Sequence, residues 1–138
     1  MARVIVAATH PRDIGGYTRW AANDRHASRL IGDSLDLTPE RIARFEPDYI
    51  FFPHWSEKIP PAIYERWECV LFHMTDLPVG RGGSPLQNLI LRGIYETQLS
   101  AIRVTGELDA GPVYLKRPLS LHGSAEEIYG RTSGLCYA

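Results

Sequence analysis

Short apolar runs, set apart by proline-led polar segments, constrain this chain more than any other feature. Arg3-Val4-Ile5-Val6-Ala7-Ala8 is apolar at successive positions, the pattern of a strand covered on both faces. Tyr49-Ile50-Phe51-Phe52 repeats the pattern and is closed by Pro53; Cys69-Val70-Leu71-Phe72-His73 repeats it again. Ala101-Ile102-Arg103-Val104 and Val113-Tyr114-Leu115 read as further strands. The segments between carry helix signals. Thr38-Pro39-Glu40 joins an N-cap to a proline in first position and an acid in the first turn, and Pro47 stops the helix. Pro60-Pro61 opens a short helix with Ile63 and Trp67 on one face. Ser84-Pro85-Leu86-Gln87 and Ser124-Ala125-Glu126-Glu127 read as capping boxes. The first leads into a Leu86, Leu89, Ile90 stripe ending near Gly93, and the second runs toward residue 135. Gly15-Gly16 reads as a loop and residues 19–31 as helix. Strands alternating with helices predict an α/β domain on a mainly parallel sheet.

A chain of 138 residues is long enough for one core without staples. With 15 Lys+Arg against 16 Asp+Glu the net charge is −1, which excludes nucleic-acid binding by bulk charge and leaves only a local basic patch. Cys69 sits in an apolar run and reads as a buried thiol; with Cys136 it makes no disulfide framework. No apolar run nears the ~18 residues of a membrane span, and no signal-peptide pattern opens the chain. A reducing cytosol is the expected address. The last helix has no stop signal, so residues 1–138 are expected to form one domain cut from something longer.

In open α/β sheets, ligands sit at the carboxyl ends of the strands. His73 closes a strand there, Asp109 lies in a loop flanked by Gly106 and Gly111, and His54 with Trp55 follows Phe51-Phe52. A histidine and an aspartate delivered to one edge form a base with its orienting carboxylate; the competing reading is a histidine that caps a turn. Gly80-Arg81-Gly82-Gly83 fits neither the phosphate loop nor the dinucleotide pattern. It reads as a tight turn, with the functional variant that its N–H groups bind a carbonyl oxygen or a carboxylate. His54, His73, Asp76, Asp109 and His122 show no metal-ligand spacing, so no metal is expected.

The run Phe72-His73-Met74-Thr75-Asp76-Leu77-Pro78-Val79-Gly80-Arg81-Gly82-Gly83-Ser84-Pro85 resembles the signature of the formyltransferase family. That family includes methionyl-tRNA, glycinamide ribonucleotide and amino-sugar N-formyltransferases. Asp109-Ala110-Gly111-Pro112 resembles its downstream motif, and Tyr49-Ile50-Phe51-Phe52 through Ile59-Pro60 its upstream strand and loop. The resemblance covers roughly residues 48–132. It implies a Rossmann-like three-layer domain that moves a formyl group from 10-formyltetrahydrofolate to an amine, with no metal. It makes His73 the catalytic histidine and Asp109 the catalytic aspartate. Because Leu71 cannot donate, the oxyanion donor is expected from protonated His73, from the N–H groups around Gly82-Gly83 or from His54. His54 is expected to point into the same crevice. The pterin is expected against Pro53, Trp55 and Ile59 on one side and Thr105, Gly106 and Leu108 on the other. Arg81, Gly82 and Gly83 are expected on the substrate.

Two departures shape the expectation. The family usually has Asn two residues before the histidine, where this chain has Leu71. About 40 residues separate the first strand from Tyr49, fewer than typical members have, which predicts an abbreviated acceptor half. The variant pattern resembles a divergent group of surface-sugar enzymes. The expected acceptor is therefore a small amine, an amino sugar, with neither nucleic acid nor membrane as partner and a homodimer left open. Two other classes remain: a folate- or sugar-binding module without turnover, and a formyl-folate hydrolase.

Overall fold

Alternation along β1 (Arg3–Ala7) sets the layering. Val4 and Val6 face one side, Ile5 and Ala7 the other, and all four are at most 4% exposed. A strand with no polar face requires cover on both sides. The computed structural model describes residues 2–23, 26–55, 57–77, 81–83, 85–107 and 109–137. After β1 come α1 (Pro11–Asn23), β2 (Ala27–Ile31), a 3₁₀ turn (Ser34–Asp36), α2 (Pro39–Phe45), β3 (Tyr49–Phe52) and α3 (Pro61–Tyr64). Next come β4 (Glu68–His73), α4 (Pro85–Leu91), β5 (Glu96–Arg103), β6 (Val113–Ser120) and α5 (Ala125–Cys136).

The six strands form one sheet in the order β2-β1-β3-β4-β5-β6. β1 pairs in parallel with β2 and β3, and β3 with β4; β5 and β6 close the sheet as an antiparallel pair. The α/β fold with a mainly parallel sheet is thus as expected. On one face Ile5, Ile50, Phe52 and Cys69 pack with Ile42, Phe45 and Ile63 from α2 and α3. On the other, Val4, Val6 and Ala8 pack beneath Tyr17 and Trp20 of α1 and Tyr137 after α5. A third cluster, with Leu86, Leu89, Leu99, Leu119 and Ile128, fixes α4 and α5 on the antiparallel side.

Local signals explain most boundaries. Thr38 accepts from the Arg41 amide as the N-cap of α2, and Glu46 ends that helix at φ 53°. Ser124 and Glu127 form the capping box of α5. Gly93, at φ 72°, follows α4; Ser84, its expected cap, lies outside the described residues. The stretch after β1 departs from expectation. Gly15 and Gly16 lie inside α1, and residues 27–31 are a strand. Pro11 occupies the first turn, where a missing N–H costs nothing, and His10 Nδ1 accepts from the Arg12 amide. Gly16 permits helix packing: a Cβ there would lie 2.6 Å from the Tyr137 ring. The supposedly abbreviated region therefore holds a helix, a strand, a 3₁₀ turn and a second helix between β1 and β3. Among the described residues no helix is long and apolar enough to cross a membrane.

Candidate active site

β4 delivers His73 to the edge of the sheet, directly opposite Ser100 on β5. Two polar contacts pin the segment that follows. The buried Ser100 hydroxyl donates to the Thr75 carbonyl at 2.7 Å. Lys116 of β6 donates to the Asp76 carboxylate and, at 2.8 Å, to the Leu77 carbonyl. The antiparallel pair thus holds the segment that follows His73.

The β5–β6 connection carries Asp109 over the same edge. Its Oδ2 stands 3.7 Å from His73 Nδ1 and accepts from the Gly82 N–H at 2.8 Å. His73 and Asp109 are 7% and 8% exposed. The separation is one short step beyond hydrogen-bond length, as is common in catalytic pairs before substrate arrives. Asp109 adopts φ 50°, a left-handed conformation costing about 1 kcal/mol for a residue with a side chain. The loop imposes it. A Cβ at Gly111 would lie 1.7 Å from the Arg103 carbonyl oxygen, so only glycine allows the chain to close there. The Arg103 amide then donates to the Pro112 carbonyl at 2.9 Å.

These groups open into a cleft of about 930 Å³. Pro53, Trp55 and Ile59 line one part, Val104, Thr105 and Gly106 another, and Leu71, His73, Gly82, Gly83 and Asp109 the centre. His54 also lines it, as expected, with its ring edge-on to Tyr129 at 5.9 Å. Burial pushes the His54 imidazole below its ordinary range; Asp13 opposes this, while Arg12 and His10 reinforce it. His54 is accordingly neutral at pH 7. Arg81 is exposed. Leu108 lies outside the described residues. Asp76 is engaged by Lys116, and His122 stacks on Tyr95 at 5.3 Å, so the sequence's scattered metal-type residues are not gathered. Among the described residues no group of three His, Cys, Asp or Glu could hold a metal ion.

The cleft also contains residues that the sequence reading passed over: Arg12 and Asp13 from α1, and Tyr129, Thr132 and Ser133 from α5. The α5 set had a signal. The capping box fixes the helix phase, and positions 129, 132 and 133 then share a face. The α1 pair was hidden by reading Gly15-Gly16 as a loop, which left no helix to carry residues 12 and 13. Among the described residues, Arg12 Nε, Asp13 Oδ2, Trp55 Nε1 and Ser133 Oγ are buried without hydrogen-bond partners and line the cleft, and Thr75 Oγ1, outside the lining, is buried in the same way. Unpaired buried polar atoms are rare, and ligand sites are where they concentrate.

No protein-family profile matches the chain. The chain is 33% identical over 100 residues to methionyl-tRNA formyltransferase of Methylococcus capsulatus, covering 70% of this chain and 32% of that protein. The structure of methionyl-tRNA formyltransferase from Clostridium thermocellum superposes with a TM-score of 0.96 at 45% identity, over 99% of this chain and 61% of that one. HypX from Aquifex aeolicus, solved in complex with tetrahydrofolic acid, shares the fold at 22% identity, with a TM-score of 0.80 over 98% of this chain and 25% of that one. The chain spans about a third of the length of the curated relatives it matches. With the signature in β4 and its loop, the Asp109 motif facing it and these relatives on the same fold, the chain belongs to the formyltransferase family.

Proposed function

We propose that this chain is the catalytic domain of a folate-dependent N-formyltransferase. The observation that carries the reading is the His73–Asp109–Gly82 constellation: a nearly buried imidazole, 3.7 Å from a carboxylate that a backbone N–H holds in place. The cleft fits a formyl-folate on its own terms. Pro53, Trp55, Ile59 and Val104 offer flat apolar surface for a pterin, and Trp55 Nε1 is a buried donor lacking a partner. A volume near 930 Å³ is in the range of sites that enclose a ligand of that size. Bound there, 10-formyltetrahydrofolate would supply the formyl carbon and leave as tetrahydrofolate.

The chain's own residues manage the proton and the charge. An amine that attacks a carbonyl carbon sheds a proton, and His73 is placed to take it and return it to the departing nitrogen. Asp109 orients the ring and stabilises its protonated form. Negative charge builds on the formyl oxygen meanwhile, and Leu71 donates nothing to it. The Gly82 N–H is already committed to Asp109, which leaves protonated His73, neutral His54 and the Gly83 N–H as donors.

The acceptor is an amine. An amino sugar was the expectation, and the relatives at 33% and 45% identity favour methionyl-tRNA as the first substrate to try. Tetrahydrofolate release should be measured with methionyl-tRNA, with a nucleotide-linked amino sugar and with no amine. Release that depends on an amine supports the proposal and identifies the acceptor. Formate released without amine makes the protein a hydrolase, and folate binding with no release under any condition makes it a binding module.

A further inference from the structure

A second cavity of about 500 Å³ lies between α1 and α5. Arg12, Arg19, Trp20 and Asn23 come to it from α1, and Ser133 and Tyr137 from α5 and its end. Arg12 and Ser133 also line the catalytic cleft, so the two spaces meet at those side chains. Ser133 is 6% exposed, and its Oγ has no hydrogen-bond partner; Arg12 Nε is likewise buried and unpartnered. A hydroxyl and a guanidinium N–H left unpaired at the junction of two cavities are groups awaiting a polar ligand.

The chemistry of the rest is consistent. Arg19 folds back along α1, with one guanidinium nitrogen 3.4 Å from where a Cβ on Gly15 would stand, while the Arg12 guanidinium sits over the Tyr129 ring and 3.6 Å from the Asp13 carboxylate. Two guanidinium groups on one rim suit a phosphate, which they bind through paired N–H donors. Trp20 and Tyr137, with ring centroids 6.4 Å apart, add aromatic surface beside them. Gly130 and Gly134 line the opposite wall, and a Cβ at either would meet nothing within 4 Å. Glycine weakens a helix, so two of them in α5 facing open space keep the groove clear. An aromatic cluster that served only to pack α1 on β1 would leave neither this space nor the unpaired Ser133.

We infer that the α1–α5 groove binds the nucleotide portion of the formyl acceptor, its phosphate between Arg12 and Arg19 and its base against Trp20 and Tyr137. The inference rests on the formyl-transfer reading only for the word acceptor. The shared chemistry is a nucleotide phosphate, whether it ends an RNA or carries a sugar.

The test is calorimetric titration of the full chain with AMP and with UDP, using adenosine and inorganic phosphate as controls. At least one nucleotide should bind, more tightly than either control. Arg19→Ala, at an exposed position, should weaken that binding by about tenfold or more, and Gly134→Leu should abolish it by filling the groove. His73→Ala should bind nucleotide normally, which separates this inference from the catalytic one. A competition between a UDP-linked amino sugar and a short RNA ending in adenosine then identifies the source. Absence of nucleotide binding by the wild-type chain would overturn the inference, as would binding indifferent to both Arg19→Ala and Gly134→Leu.

Discussion

The two ends of the catalytic cleft are built on opposite plans. At the His73 end most polar groups are matched: Ser100 holds the Thr75 carbonyl, Lys116 holds Asp76 and Leu77, and Gly82 holds Asp109, while the Thr75 hydroxyl is buried without a partner among the described residues. At the α1 end they are not: Asp13 Oδ2, Arg12 Nε and Ser133 Oγ are buried without hydrogen-bond partners. The Arg12 guanidinium stands 3.6 Å from the Asp13 carboxylate. A reacting centre benefits from groups fixed before substrate arrives, because reorganisation then costs nothing at the moment of reaction. A recognition surface must leave donors and acceptors for the ligand and bear the desolvation penalty while it waits. On the proposed function, the cleft is better matched where formyl transfer would occur than where the acceptor would be selected.

The sharpest way to break this comparison is at the His73 end. His73→Ala and Asp109→Asn should each lower formyl-transfer kcat/KM by about a hundredfold or more, with little change in Tm. A folded His73→Ala protein of near wild-type activity would remove His73 from the mechanism. Gly111→Ala attacks the same end through the backbone. Its Cβ collides with the Arg103 carbonyl, so stability should fall by about 3 kcal/mol, seen as a lower midpoint in urea, and activity should fall with it. An unchanged midpoint would show that the Asp109 loop is not the rigid support described here.

Between the two ends, His54 and Leu71 report where the oxyanion finds its donor. His54→Ala should reduce kcat by about tenfold, and Leu71→Asn should change it only a few-fold. The reverse result, a silent His54→Ala with a strongly activated Leu71→Asn, would mean that nothing replaces the missing amide. At the α1 end, Asp13→Asn removes a buried charge at constant shape. Tm should hold or rise slightly while acceptor KM increases several-fold and kcat stays near wild type; a fall in Tm would show that Asp13 is structural.

The smallest effect is a pH slope. Burial lowers the His54 pKa below its unfolded value, so the unfolded chain binds that proton more tightly. Its effect on stability is absent above about pH 6.5 and is a loss as pH falls below that value. His54→Gln should flatten the part of the stability–pH curve just below pH 6.5, measured by urea unfolding at each pH. An identical slope in the variant would exclude His54 as its source.

The sequence by itself determined the layers, most helix starts and the pairing of His73 with Asp109. Strands without a polar face demand cover on both sides, and a proline or a capping serine marks a helix start through local hydrogen bonding alone. The proximity of His73 and Asp109 was readable because one ends a strand and the other lies in the loop after one, and the sheet's geometry sends strand ends to one edge. The stretch from Pro11 to Ile31 was not readable. Gly15 and Gly16 are poor helix formers, and the reason for a glycine at 16 is the close approach of Tyr137, more than a hundred residues away. Ser28 and Leu30 alternate in burial as a strand only because β1 pairs with them. Arg12, Asp13 and Ser133 have the same cause. Their sequence neighbours give no reason for burial without a partner among the described residues; the packing of α1 against α5 over the sheet decides it, because it brings together side chains more than a hundred residues apart.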